Sequence, residues 1–213
     1  MDDLKLAAYM AIALVPAFVL HEYAHAFVSV RLGDPTPKRF GRLTLNPRPS
    51  IDPFGSLILP ALTLILVASG SLLLPVFAYA KPMPVDPSMF RNPRRDQALV
   101  VLAGLGANIA LAIPAGLVIR TGASGELLLF AIAWLLVNAY MFGLQLMPVP
   151  GLDGSKLLAP FLPPRAREVY VNLDQYLVLF VLVIFFLLAG PLLAIVNVFA
   201  NLACNLAAGI DCV

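Results

Sequence analysis

Charge is scarce in this chain. Of 213 residues, 14 are Lys or Arg and 12 are Asp or Glu, so 12% are charged and 61% are hydrophobic. An ordinary soluble domain carries about 25% charged residues. That shortage excludes a water-soluble domain and predicts an all-α polytopic membrane protein folded as one unit over 1–213. The few basic residues form no stripe interleaved with aromatics, which excludes nucleic acid as a partner and leaves the lipid bilayer. Cysteine is nearly absent: Cys204 and Cys212 both fall within the last ten residues. They are too few for a disulfide framework and lack C-x-x-C spacing, although a bridge between them is permitted in an oxidising compartment. Histidine is as rare, and with only His21 and His25 a three-histidine metal site is excluded.

Those two histidines stand four apart in His21-Glu22-Tyr23-Ala24-His25, inside a long apolar run. Residues i and i+4 of a helix share a face, so both imidazoles can reach one ion. Glu22 is placed to take a proton from a metal-bound water. An ionisable cluster inside an apolar helix is costly in a bilayer and marks a functional site.

Residues 4–31 read as one membrane-spanning helix ended by Gly33 and Pro35. The run is too long for a signal peptide and lacks a basic leader. Alternation in Arg42-Leu43-Thr44-Leu45 allows a short β-hairpin near 40–50. Residues 53–80 are apolar but broken by Pro60, Ser69-Gly70-Ser71 and Pro75, so they either re-enter or span. Further helices are expected over 97–119, 127–147 and 175–199, with 200–213 as a short tail. The expectation is thus about four full transmembrane helices plus the 53–80 segment.

Basic residues mark cytoplasmic loops. If 53–80 re-enters, the loops 31–50, 81–96 and 155–173 share one side, and only Lys5 and Arg120 are left for the other. If it spans, strongly basic loops face opposite compartments. Charge therefore favours the re-entrant reading, with the N-terminus outside.

Two histidines do not complete a catalytic zinc site, which takes three protein ligands and a water. With no third His, a carboxylate must serve. Asp153 directly follows an apolar helix, in Met147-Pro148-Val149-Pro150-Gly151-Leu152-Asp153-Gly154, where the prolines unwind the chain. Irregular backbone at membrane depth is tolerated where it lines a cavity. His21, His25 and Asp153 reach one depth only if helix 4–31 and the broken helix over 127–162 run the same way. The re-entrant topology provides that, giving a metal-site core over about 4–162 and a separate C-terminal helix at 175–199.

With these motifs the chain resembles the site-2 protease family of intramembrane zinc metalloproteases over about residues 15–160. His21-Glu22-x-x-His25 is similar to the family's first motif. Leu152-Asp153-Gly154 is similar to its second, whose Asp is the third zinc ligand. Asn46-Pro47 to Asp52-Pro53, Ala80-Lys81-Pro82 and Phe90-Arg91-Asn92-Pro93-Arg94-Arg95 resemble a compact bacterial branch without PDZ or CBS domains. Gly104-Leu105-Gly106-Ala107-Asn108 resembles a third motif, usually Gly-Pro-x-x-Asn, whose Asn contacts substrate. Gln145 stands where the family often has Asn, Gly151 where it often has Pro and Ser155 where it often has Gly. The resemblance implies one zinc ion per chain held by His21, His25 and Asp153, Glu22 as the base, and substrate contacts from Asn108 and Gln145. It implies cleavage of transmembrane protein substrates within or near their helices, in the bacterial cytoplasmic membrane with the site towards the cytoplasm. A non-catalytic membrane zinc protein is the alternative, and the presence of Glu22 speaks against it. A metal or proton transporter would need polar positions across 97–119 and 175–199, which carry almost none.

Overall fold

The computed structural model describes residues 2–69, 78–176, 180 and 189–210, and every regular element among them is helical. Helix α1 spans Asp2–Arg31. The helical turn α2 is Thr36–Arg39, α3 is Leu59–Ala68 and α4 is Pro93–Arg120. Helix α5 is Gly125–Gln145, α6 is Asp153–Leu158, α7 is Pro164–Asn172 and α8 is Ala189–Ala208. Among the described residues, α1, α4 and α5 are long and apolar enough to cross a membrane.

These three helices pack on one another, and α8 packs on α4 and α5. Small residues bring the backbones close at these contacts, between larger buried side chains such as Leu135, Val137 and Met141. Ala13, Ala17 and Ala26 on α1, Ala112 on α4, Ala133 and Ala139 on α5, and Ala200 and Ala203 on α8 are all buried. In lipid the hydrophobic effect does not drive helices together, so close backbone approach through small side chains does. The outward faces are apolar instead: Ile12, Val15, Leu117 and Val198 are exposed, as a lipid-facing surface requires.

Local signals explain the ends. Gly33, at φ +111°, turns the chain out of α1. Asp34 then folds back, its amide donating to the Ser29 carbonyl at 3.1 Å. Helix α4 opens at Pro93, and the Asp96 carboxylate accepts the Asn92 N–H at 3.0 Å.

The hairpin allowed near 40–50 does not form, and residues 40–50 contain no strand. Pro47 and Pro49 have no N–H to give to a ladder. Asn46 instead closes a local turn, its Oδ1 accepting the Arg48 N–H at 3.1 Å, and Thr44 Oγ1 accepts the Asn46 N–H at 3.1 Å. Arg42, buried, donates to the carbonyls of Pro49, Lys81 and Pro82, holding this loop against the chain that returns at residue 81.

The 53–80 segment begins with a π-helical turn, Pro53–Ile58, capped by Asp52, whose carboxylate accepts the Phe54 and Gly55 amides at 3.0 and 2.7 Å. Helix α3 follows and packs on α1. Residues 70–77 lie outside the described residues, but both ends of the segment are placed. Tyr79 N–H donates to the Gly55 carbonyl at 3.1 Å, and Ser56 Oγ donates to the Tyr79 carbonyl at 2.9 Å. The chain that departs at Gly55 is back beside it at Tyr79, which is the re-entrant arrangement.

At its far end α1 bonds through Lys5 and Tyr9 to Glu126 at the start of α5. At its near end His21 and His25 meet Asp153, past the end of α5. Helices α1 and α5 therefore run in the same direction. Of the helix expected over 175–199, residues 189–199 are helical, and α8 continues to Ala208, where a tail was expected. Residues 177–179 and 181–188 lie outside the described residues. Cys204 is buried and disulfide-bonded, and Cys212 lies outside the described residues.

Candidate metal centre

The spacing within α1 puts the His21 and His25 rings on one face, with centroids 4.5 Å apart and planes at 87°. Both side chains are buried, and their Nε2 atoms stand 2.9 Å apart. Asp153 Oδ2 completes a triangle, 2.9 Å from His21 Nε2 and 2.7 Å from His25 Nε2. Three lone-pair atoms converging inside an apolar bundle is the arrangement a cation resolves. Tetrahedral zinc, with bonds of about 2.0–2.1 Å, holds its ligand atoms about 3.3 Å apart. An opening of roughly half an ångström lets the triangle accept such an ion. The donor set of two imidazoles and one carboxylate also suits zinc.

The tautomer of His25 is fixed by its other nitrogen, since Nδ1–H donates to the Val100 carbonyl on α4 at 2.7 Å. The Nε2 lone pair is thereby turned to the triangle. Gly104, one turn along α4, permits this approach, because a Cβ there would overlap the His25 ring. His21 Nδ1, in contrast, is buried without a partner.

Asp153 reaches the triangle because α5 stops. Pro148 and Pro150 interrupt the helix, and Gly151 turns the chain at φ +90°. The loop is tied down from outside: Asp174 accepts the Gly151 N–H at 2.7 Å, and the Tyr170 hydroxyl donates to the Pro148 carbonyl. Burial raises the Asp174 carboxyl above its ordinary value, against the lowering effects of the Gly151 amide and Lys156. Chain restarts as α6 at Asp153, and Gly154 is required because a Cβ would overlap the carbonyls of Leu146 and Met147. The Asp-Gly pair thus sets a candidate ligand before the one residue that fits beneath the crossing backbone.

Glu22 lies buried beside the histidines, and the ligand-capable atoms of His21, Glu22 and His25 fall within 4.8 Å of one another. Its Oε2 has no partner. A cavity of about 20 Å³ adjoins Glu22, His25, Asp153, Gln145 and Lys156. A cavity above about 10–15 Å³ can hold one water. Larger space of about 290 Å³ continues past His25, Asp153 and Lys156 towards Gln97, Tyr170 and Asp174. The centre therefore borders both a one-water niche and a wider, mainly apolar cleft that Gln97, Lys156 and Asp174 also line.

Of the residues singled out in the sequence, His21, Glu22, His25 and Asp153 come together, and Gln145 joins them at the small cavity with its Oε1 unpartnered. Asn108 is wholly buried one turn beyond Gly104 on the same face of α4, and neither amide atom has a partner. It lines neither of the two cavities at the centre. Lys156 was missed. Its Nζ donates to Asp153 Oδ1 at 3.0 Å. The available signal was a cation three residues after the candidate ligand, on the same side of a helix.

No family model and no solved structure matches the chain. Curated relatives do. YwhC of Bacillus subtilis, provisionally named a zinc metalloprotease, is 36% identical over 192 residues, covering 85% of this chain and 82% of that protein. Rip2 of Mycobacterium tuberculosis, provisionally named likewise, is 34% identical over 177 residues, covering 78% of this chain and 62% of that protein. Rip2 of Mycolicibacterium smegmatis is 33% identical over 176 residues, again 78% of this chain and 61% of that protein. Motifs, buried centre and relatives agree, and the chain belongs to the site-2 protease family.

Proposed function

We propose that this protein is an intramembrane zinc metalloprotease that hydrolyses peptide bonds within or next to the transmembrane helices of other proteins. The observation that carries the reading is the triangle of His21 Nε2, His25 Nε2 and Asp153 Oδ2, with edges of 2.7–2.9 Å, beside the unpartnered Glu22 Oε2. Zinc held by these three atoms would supply Lewis acidity and make a neighbouring water more acidic.

The remaining steps belong to the chain. Glu22 takes a proton from the water in the small cavity as the water oxygen adds to the scissile carbonyl carbon. The C–N bond then breaks, and Glu22 returns the proton to the leaving nitrogen. Gln145, with a free amide oxygen at the same cavity, is the candidate to hold the substrate backbone, whereas Asn108 has both amide atoms free but lines neither cavity. A helical substrate hides its amides in hydrogen bonds and must open locally before attack.

The orientation follows from charge. The α1 end that carries the centre continues into Arg31, Lys38, Arg39, Arg42 and Arg48, whereas the opposite end has Lys5 and Arg120. Basic loops stay in the cytoplasm, so the site faces the cytoplasmic side of the bacterial cytoplasmic membrane, open to water from there.

The test is Glu22→Gln. N-terminal peptide mapping of membrane proteins should show fragments that begin inside transmembrane segments with wild type and not with the variant, while both retain zinc. Equal fragment patterns from two zinc-loaded proteins would move the reading to a non-catalytic membrane zinc protein.

A further inference from the structure

We infer that Lys156 is a positioning residue that holds Asp153 as a one-oxygen ligand and so keeps the fourth metal position free for water. This rests on the metal-centre reading above.

A carboxylate has two oxygens able to accept or ligate. Oδ2 of Asp153 faces the histidine pair, while Oδ1 is taken by Lys156 Nζ at 3.0 Å. Left free, Oδ1 could swing onto the same ion and occupy the place the water needs. The ammonium donor prevents this with a charge-assisted bond. Its placement is built into the fold: α6 has only six residues, and Asp153 and Lys156 are three apart on it. The Asp153 side chain is 6% exposed and that of Lys156 31%, so the cation reaches inward from the cleft rather than facing open solvent. Lys156 also borders both the one-water cavity and the larger cleft, beside Glu22 in the former.

A cation on Oδ1 also draws electron density from Oδ2. Metal affinity is therefore a poor discriminator, and coordination number is the better one. The purified full chain in detergent would be stripped of metal and titrated with Co²⁺ alone, as wild type and as Lys156→Met, Lys156→Gln and Lys156→Arg. Four-coordinate Co²⁺ absorbs intensely in the visible, and higher coordination absorbs weakly.

The expectation is an intense band for wild type, a weakened and shifted band for Lys156→Met and Lys156→Gln, and recovery with Lys156→Arg. Turnover of the zinc form should fall about 10–100-fold in the first two and recover in the third. A wild-type band in both Met and Gln variants would overturn the inference, and so would an equal change in all three. If the Met variant fails to fold, the Gln–Arg comparison decides alone. Wild-type protein that takes up no Co²⁺ would overturn the metal centre itself, and this inference with it.

Discussion

Charged groups tie α1 to the chain of α5 and α6 at both ends of the bundle, and the two ties differ in kind. At the far end Lys5 and Tyr9 meet Glu126 with side chains 43% and 59% exposed for the Lys–Glu pair. At the near end His21, His25 and Lys156 surround Asp153, whose side chain is 6% exposed. The first pair is screened and flexible, and such exposed pairs contribute little. The second has no water to replace a lost partner, so each member depends on the others. The same two segments are joined twice, yet only the buried junction is built to hold an ion.

The sharpest way to break this contrast is Asp153→Ala. It removes one of the proposed ligands and leaves Lys156 without its partner. Bound zinc measured by elemental analysis should fall to background, and proteolysis should drop by at least about 10³-fold. A variant that kept its zinc would show that the buried junction is not a metal centre.

Next in size is Gly104→Ala, which changes no polar group. Its Cβ would overlap the His25 ring, and overpacking of this kind costs about 1–3 kcal/mol. Thermal unfolding in detergent should show that loss, together with reduced zinc content because His25 is pushed from Val100. Unaltered stability and zinc content would mean that the α1–α4 contact yields.

Asp34 tests whether burial alone, away from the centre, makes a carboxylate important. Wholly buried, it accepts from Ser29 Oγ and the amides of Thr36 and Asp86. Burial pushes its carboxyl up, but the bonds from Thr36, Asp86 and Ser29 outweigh that and hold it below the ordinary value of 3.8. With a folded value below the unfolded one, its stabilisation is present above pH 3.8 and is lost as pH falls through the lower folded value. Asp34→Asn, which cannot accept all three bonds, should cost about 1–3 kcal/mol at neutral pH. Denaturation curves across pH should also lose the share of their dependence below about pH 4 that Asp34 contributes. Activity should survive in proportion to folded protein.

The smallest effect is expected from Glu126→Gln at the exposed tie. Its unfolding midpoint should match wild type within error, and proteolysis should be unchanged. A clear loss would show that the outer junction sets the register of α1 against α5.

Much of the centre was legible because the chain offers few choices. With two histidines on one helical face, no usable cysteine and one carboxylate in a helix-breaking apolar segment, the candidate ligand set was nearly forced. The distribution of basic residues also gave the right closure for 53–80, since both ends meet at Gly55 and Tyr79. Alternation near 40–50 misled because it counts side chains, while the strand failed for want of backbone donors at Pro47 and Pro49. The C-terminal helix also runs on past residue 199, where a short tail was expected. Packing of Val196, Ala200, Ala203 and Ala207 in the bundle carries that helix on to Ala208.

By itself the sequence determined which residue types could do chemistry and that they lie in an apolar medium, and it favoured α1 and α5 running the same way. Those properties depend on composition and on spacing along one helix. Only the tertiary structure decided that Val100 orients His25, that Gly104 and Gly154 are contact points, and that Lys156 occupies the second oxygen of Asp153. Each of these depends on a distance of a few ångströms between side chains and backbone brought together by packing, and one-dimensional spacing does not encode such distances.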